Sequence, residues 1–154
     1  MFRAFPQPSL KYSEIDSTLL VIKTEDMKAV IYFNTRDELI KVDVRRVSYF
    51  EADGNYVHIH FINGLSAMIL TTLQNIDKLL SGFAHYSGVK FIRVGKKYIL
   101  NVSAIYKINI PRQEIILSDF IGCEPQIIHI SKAALRELKM FMGGNYGSNS
   151  WQTR

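Results

Sequence analysis

Three cations, Arg93, Lys96 and Lys97, surround a glycine in "FIRVGKKYIL" (residues 91–100), a stretch whose flanks read as β-strand. Arginine and lysine pair with phosphate or reach the O6 and N7 acceptors of guanine, so cations at a strand turn suit a polyanion. The wider charge pattern has the same sense. Between Asp77 and Glu114 there is no acidic residue, whereas Lys78, Lys90, Arg93, Lys96, Lys97, Lys107 and Arg112 supply seven cations. That window is +7 in a chain of net charge +5, which leaves −2 for the remainder. Such segregation makes a local positive field that draws nucleic acid or anionic lipid. Lysines on exposed strand faces also serve simply to keep a sheet soluble, and charge alone does not separate the two.

Other reactive types are sparse. His58 and His60 are two residues apart and share one side of a strand, as metal ligands sometimes do, but only Asp53 and Glu51 stand nearby as hard donors. The pair reads as a polar sheet face, with no metal. Cys123 is the single cysteine, and no local motif identifies a base for it among His58, His60, His85 and His129. It reads as inert. There is no G-x-S-x-G, P-loop or H-E-x-x-H, and "VGKKY" lacks the Walker spacing. No catalytic residue and no cofactor are expected, so the chain is not read as an enzyme.

The elements that must position the cations are mostly strands. "TLLVIKT" (18–24), "AVIYF" (29–33), "ELIKV" (38–42) and "VSYFEA" (47–52) recur at a spacing that predicts antiparallel sheet. In "NYVHIHFI" (55–62), Val57, Ile59 and Phe61 alternate with Tyr56, His58 and His60, which gives one core face and one polar face. Asn63-Gly64 then predicts a two-residue type I′ turn into "LSAMILT" (65–71). Thr71 with Gln74 forms a capping-box pattern ahead of Leu73, Ile76, Leu79 and Leu80, and Gly82 stops that helix. Five more strand-like runs follow, "KFIRV", "YILNV", "AIYKINI", "EIILS" and "IIHIS". A second helix starts near Ser131, a good N-cap, and runs through Leu135, Leu138, Phe141 and Met142 to Gly143-Gly144. The class is mainly β, with about ten short strands in small antiparallel sheets and two short helices. Helix-turn-helix needs three adjacent helical periods and is poorly supported.

Three segments carry a resemblance. "VSYFEADGNYVHI" (47–59), "FIRVGKKYILNVSAIYKI" (91–108) and "IIHISKAALREL" (127–138) are similar to the LytTR DNA-binding domain family at Tyr49, Glu51, Ala52, Gly54, Asn55, Tyr56, Phe91, Arg93, Val94, Tyr98, Asn101, Ile105 and Ser131. The resemblance spans about residues 18 to 142. It implies an elongated LytTR-like arrangement whose loops enter successive major grooves of double-stranded DNA, in a bacterial, response-regulator-like transcriptional regulator. Carried over by position, the contacts fall to Asn55 and Tyr56, to Arg93, Lys96 and Lys97, and to Ser131 and Lys132. Paired copies on repeated half-sites and an upstream signalling protein are the further partners it implies. Arg93 also suits a salt bridge, with Glu51 as the candidate, and Glu51 reads as structural because a carboxylate facing phosphate is repelled.

The chain departs from the family where Gly95-Lys96-Lys97 replaces a histidine-arginine-serine run, which keeps charge but loses a planar hydrogen-bonding side chain. That substitution motivates the alternative, a LytTR-shaped protein-interaction or ligand-sensing module with weak, non-specific DNA binding. The stretch 81–89 is longer than the resemblance predicts between helix and strand. At 154 residues one domain is expected, burying roughly 68–70% of its unfolded surface. The division expected is a flexible lead-in at 1–16, the DNA-binding domain at 17–142 and a flexible tail at 143–154 that includes Trp151. No apolar run approaches a membrane span of roughly 18 residues, and the N-terminus lacks the apolar core of a signal peptide. With one cysteine, a cytoplasmic location is expected.

Overall fold

Alternation of apolar and polar residues decides the centre of this molecule. The computed structural model describes residues 10–15, 18–23, 30–82 and 88–144. Within them β1 (Leu10–Ile15), β2 (Thr18–Lys23), β3 (Val30–Asn34) and β4 (Leu39–Asp43) form a four-stranded antiparallel meander. A five-stranded sheet in the order β7-β6-β5-β9-β8 follows, built from β5 (Val47–Asp53), β6 (Tyr56–Phe61), β7 (Ser66–Leu70), β8 (Phe91–Val94) and β9 (Tyr98–Asn101). The third sheet is β10 (Ile105–Asn109), β11 (Glu114–Leu117) and β12 (Gln126–His129). Two helices, α1 (Leu73–Ser81) and α2 (Lys132–Gly144), complete a mainly β fold.

Successive residues of a strand face opposite ways, and β9 shows what that does. Ile99 enters a core with Ile31, Phe33, Val42, Phe50, Val57, Ile59, Ile69 and the buried face of α1. Leu100 enters a second core with Val94, Ile105, Ile115, Leu117, Ile128, Leu135 and Leu138. The five-stranded sheet is therefore covered on one face by the first sheet and α1, and over β8 and β9 on the other face by the third sheet and α2. Burial of each large aliphatic side chain contributes about 1.5–3 kcal/mol.

Several local expectations shift. Leu10–Ile15 is a strand although it falls in the expected lead-in. Residues 1–9, residues 83–87 of the long stretch 81–89 and the 145–154 tail with Trp151 lie outside the described residues. Asn63-Gly64 does not make a type I′ turn, because only Gly64 has positive φ (+90°). The loop is three residues long, closed by Phe61 N–H to Leu65 C=O (2.8 Å), and Asn63 Oδ1 accepts the Leu65 N–H instead (3.0 Å). The α1 cap also moves by one residue: Thr71 is buried as the strand runs into the core, and Thr72 Oγ1 accepts the Asn75 N–H (3.2 Å). On α2, Leu135 and Leu138 are buried, whereas Phe141 faces outward beneath the Lys90 ammonium, 4.5 Å from its ring centroid.

Asn101 is buried and joins three elements. Its Nδ2 donates to Val47 C=O (2.9 Å) at the start of β5, and its Oδ1 accepts from Ser103 N–H (3.0 Å) and Ser103 Oγ–H (2.7 Å). These bonds steer the chain through the 3-10 turn Val102–Ala104 into β10. Asn101→Ala strands buried polar groups and is expected to cost about 2–3 kcal/mol in urea unfolding. A loss below about 0.5 kcal/mol, typical of an inconsequential surface change, would contradict this role.

Candidate nucleic-acid interface

β5 pairs antiparallel with both β6 and β9, with Asp53 opposite Tyr56 and Glu51 opposite Tyr98. The Gly54-Asn55 turn and the Gly95-Lys96-Lys97 turn must therefore emerge at the same end of the sheet. Ala52 N–H donates to Lys97 C=O (2.8 Å), which carries the pairing into the second turn. Gly54 and Gly95 hold φ of +58° and +63°, and a Cβ at either would meet nothing within 4 Å. Backbone conformation, not space, is what asks for glycine there.

The third segment arrives through α2, which packs along β8. Arg93 and Gly95 share a shallow cleft with Ala134 and Glu137, so the first turn of α2 lies beside the Gly95 turn. Ser131 caps the helix by accepting the Ala134 N–H (3.3 Å). Ile130 N–H donates to Gln113 C=O (3.1 Å), which brings the Pro111-Arg112 turn to the same neighbourhood. All three segments singled out from sequence thus converge. Arg112 joins them, an exposed cation paired with the largely covered carboxylate of Glu114 (3.6 Å). Sequence alone placed Arg112 in the basic window without tying it to the helix start, because that link is a hydrogen bond between distant residues.

Asn55 sits exposed at its turn, and Tyr56 is partly exposed as β6 begins. Lys132 is exposed at the start of α2. Arg93 and Lys96 are exposed and form no ion pair among the described residues. Lys97 differs, with its Nζ 3.4 Å from Glu51 Oε2 while its side chain stays 58% exposed. The expected Arg93–Glu51 bridge is therefore replaced by Lys97–Glu51. Strand order explains the exchange, since β9 is the neighbour of β5 and β8 lies one strand further out.

Glu51 also accepts from His60 Nε2 (3.2 Å), and His60 stacks on Tyr49 with centroids 4.2 Å apart. Burial alone would raise the Glu51 pKa, but hydrogen bonds from His60 and Lys97, with the Lys97 charge, outweigh it and hold the carboxyl below its ordinary value. Burial pushes His60 down, against the pull of Glu51. Burial likewise pushes the Tyr49 phenol up to about 12. His58 pairs separately with Asp53 (2.9 Å). The two histidines and two carboxylates so form two couples, and among the described residues no three His, Cys, Asp or Glu side chains are grouped to hold a metal. The Asp119 carboxylate, hydrogen bonded to the Cys123 thiol, pushes that thiol up, which leaves it a poorer nucleophile.

The family model described as "LytTr DNA-binding domain" matches residues 37–143. Among solved structures, the LytTr DNA-binding domain of a putative methyl-accepting/DNA response regulator from Bacillus cereus is similar at TM-score 0.53 and 24% identity, over 75% of this chain and 98% of that one. At that identity the likeness speaks for the fold. No curated protein is similar enough to count as a match.

His60 gives the site a pH signature. A histidine whose folded pKa is depressed lets the unfolded chain bind its proton first, so stability is full above the ordinary value of 6.5 and falls as pH drops through it. The Glu51 contribution, with its depressed pKa, is lost only at lower pH, below the ordinary 4.5. Urea unfolding of the wild type should therefore show lower stability at pH 5.5 than at pH 7.5, on the order of one unit either side of the histidine range. His60→Gln should flatten that difference, and an equal loss in both proteins would assign the slope elsewhere.

Proposed function

The chain belongs to the LytTr DNA-binding domain family, and on that premise we propose that it is a sequence-specific, double-stranded DNA-binding transcriptional regulator that reads grooves through its turns. The observation that carries this is the convergence of the Gly54-Asn55 turn, the Gly95-Lys96-Lys97 turn and the start of α2 at one end of the molecule. Arg93 and Lys96, without carboxylate partners among the described residues, supply unneutralised charge for phosphate or guanine. Asn55 offers the amide that pairs with adenine. The helix start at Ser131 and Lys132 adds backbone N–H groups for a phosphate. Tyr56, partly exposed beside Asn55, adds a hydroxyl at the same turn.

In this proposal Gly95, with its neighbouring lysines, shifts the second turn toward backbone anchoring, since an ammonium acts as a point charge where a planar side chain would discriminate. Lys96 acts more strongly than Lys97, whose charge is shared with Glu51. Paired copies on repeated half-sites, an upstream signalling partner, a cytoplasmic location and a DNA-binding unit spanning 17–142 belong to the same proposal. No helix among the described residues is long and apolar enough to cross a membrane. The family is one of DNA-binding domains and not of enzymes.

Selection of bound duplexes from a random DNA pool should return a shared motif, and failure to enrich any sequence would remove sequence-specific recognition. Neutralising about four phosphates gives a slope of log K against log salt of roughly −3.6, and an affinity insensitive to salt would contradict phosphate anchoring. Replacing Lys96 and Lys97 together by alanine should weaken binding across many sequences and reduce the slope by up to about 1.8. Unchanged affinity would take that turn out of the interface.

A further inference from the structure

The opposite end of the molecule is built differently. There β5 begins, β6 and β9 end, and two grooves adjoin along the Arg45-Arg46 ridge. The larger, of about 650 Å³, has apolar walls from Ile40, Phe61 and Leu65. Its neighbour, of about 420 Å³, is bounded by Phe120 and Ile121. Leu65 and Phe120 are each 66% exposed and Ile121 is 93% exposed, large apolar surfaces left in water.

The loop that presents two of these side chains is organised. Asp119 Oδ1 accepts the consecutive N–H groups of Ile121, Gly122 and Cys123 (3.0, 3.2 and 3.3 Å), and Ser118 Oγ accepts that of Phe120 (3.0 Å). Phe120 is thereby held at φ +60°, a conformation unfavourable for a bulky L residue, with its ring 5.9 Å from the Tyr106 ring. Strain spent on displaying an aromatic side chain is characteristic of a binding site.

We propose that this end is a docking surface for a segment of a partner protein that carries apolar anchors beside carboxylates. Charge selects that occupant. The rim of the larger groove holds Lys41, Arg45 and Arg46 against the single carboxylate of Asp43. Arg45 takes Asp43 in a two-point pair (3.0 and 2.8 Å) and Arg46, 77% exposed, lies 3.8 Å from the same carboxylate, while exposed Lys41 forms no ion pair among the described residues, so one carboxylate answers three cations. The smaller groove adds the Asp119 carboxylate, which already accepts the N–H groups of Ile121, Gly122 and Cys123, and Glu124 lies further along the loop, outside the lining of both grooves. A second copy meeting this surface across a two-fold axis would bring the same basic rim against itself, which costs affinity. An acidic, apolar-anchored segment fills the grooves and answers the arginines. Its place away from the basic turns leaves it accessible with DNA bound.

The test is selection of displayed random peptides on the full chain. Enriched peptides should pair aromatic or aliphatic residues with Asp or Glu. Synthetic copies should bind the Lys96→Ala/Lys97→Ala protein as they bind wild type, and lose about tenfold in affinity, or 1.4 kcal/mol, on Ile121→Ser and on Arg46→Glu. Phe120→Asn should also weaken them while leaving Tm unchanged or raised, since asparagine tolerates positive φ. Any of four results would overturn the proposal: no enrichment; peptides without carboxylates; binding indifferent to Ile121→Ser and Arg46→Glu; or concentration-dependent dimerisation abolished by Ile121→Ser, which would make a second copy the occupant. Arg46 is exposed enough that Arg46→Glu remains informative if a loop variant misfolds.

Discussion

β5 has two antiparallel partners, and that constraint organises nearly everything else. Pairing with β6 and with β9 sets two hairpin turns at one end of the sheet, and it sends Phe50 into one core while Tyr49 and Glu51 take the other face. A slip of one residue would exchange those faces and drive Glu51 into a hydrocarbon core. Burial of Phe50, Val57, Ile59 and Ile99 thus enforces the register. The turns inherit their positions from that register, so the stability of the core and the geometry of the cationic end have one origin.

A cationic turn meets a conflict: its charges must stay unneutralised, yet unrestrained lysines carry much rotamer entropy into binding. Here Glu51 restrains Lys97 alone, through a contact in which the lysine side chain stays 58% exposed above a half-buried carboxylate. Exposed ion pairs are worth about 0–1 kcal/mol, which a phosphate can replace. His60 and Tyr49 support the carboxylate from below, with His60 kept neutral by burial, so the support donates a hydrogen bond without adding a second charge at the turn.

What the chain discloses before folding is local. The β6 alternation, the Ser131 cap and the leucine face of α1 each rest on neighbours within a few residues, and each is legible as spacing. The Asn63-Gly64 loop and the Thr72 cap came out one residue away from their local signals, because the backbone settles which member of an eligible pair takes the special conformation. Strand order is not local at all. Nothing near Arg93 or Lys97 says which of them neighbours Glu51, and that follows only once β9 lies between β5 and β8. The nearness of the three segments was likewise beyond periodicity, and it entered the sequence reading only through family resemblance. Arg112 escaped because its link to α2 runs through a backbone bond from Ile130 to Gln113.

The two ends of the central sheet then differ for a physical reason. At the Gly54 and Gly95 end the turns are short and polar, with charge projecting beyond the last hydrogen bonds, which suits a partner met through solvated phosphates. The other end receives the longer β11–β12 connection and the Arg45-Arg46 turn, and its loop amides are satisfied internally by Asp119 and Ser118. Satisfying the backbone from within frees the side chains to be apolar, which is how Phe120 and Ile121 stand in water on an ordered loop. A sheet buried over much of both faces leaves these two ends as the places where chemistry can vary without disturbing the core, and the chain has made one end polar and cationic and given the other apolar side chains inside a basic rim.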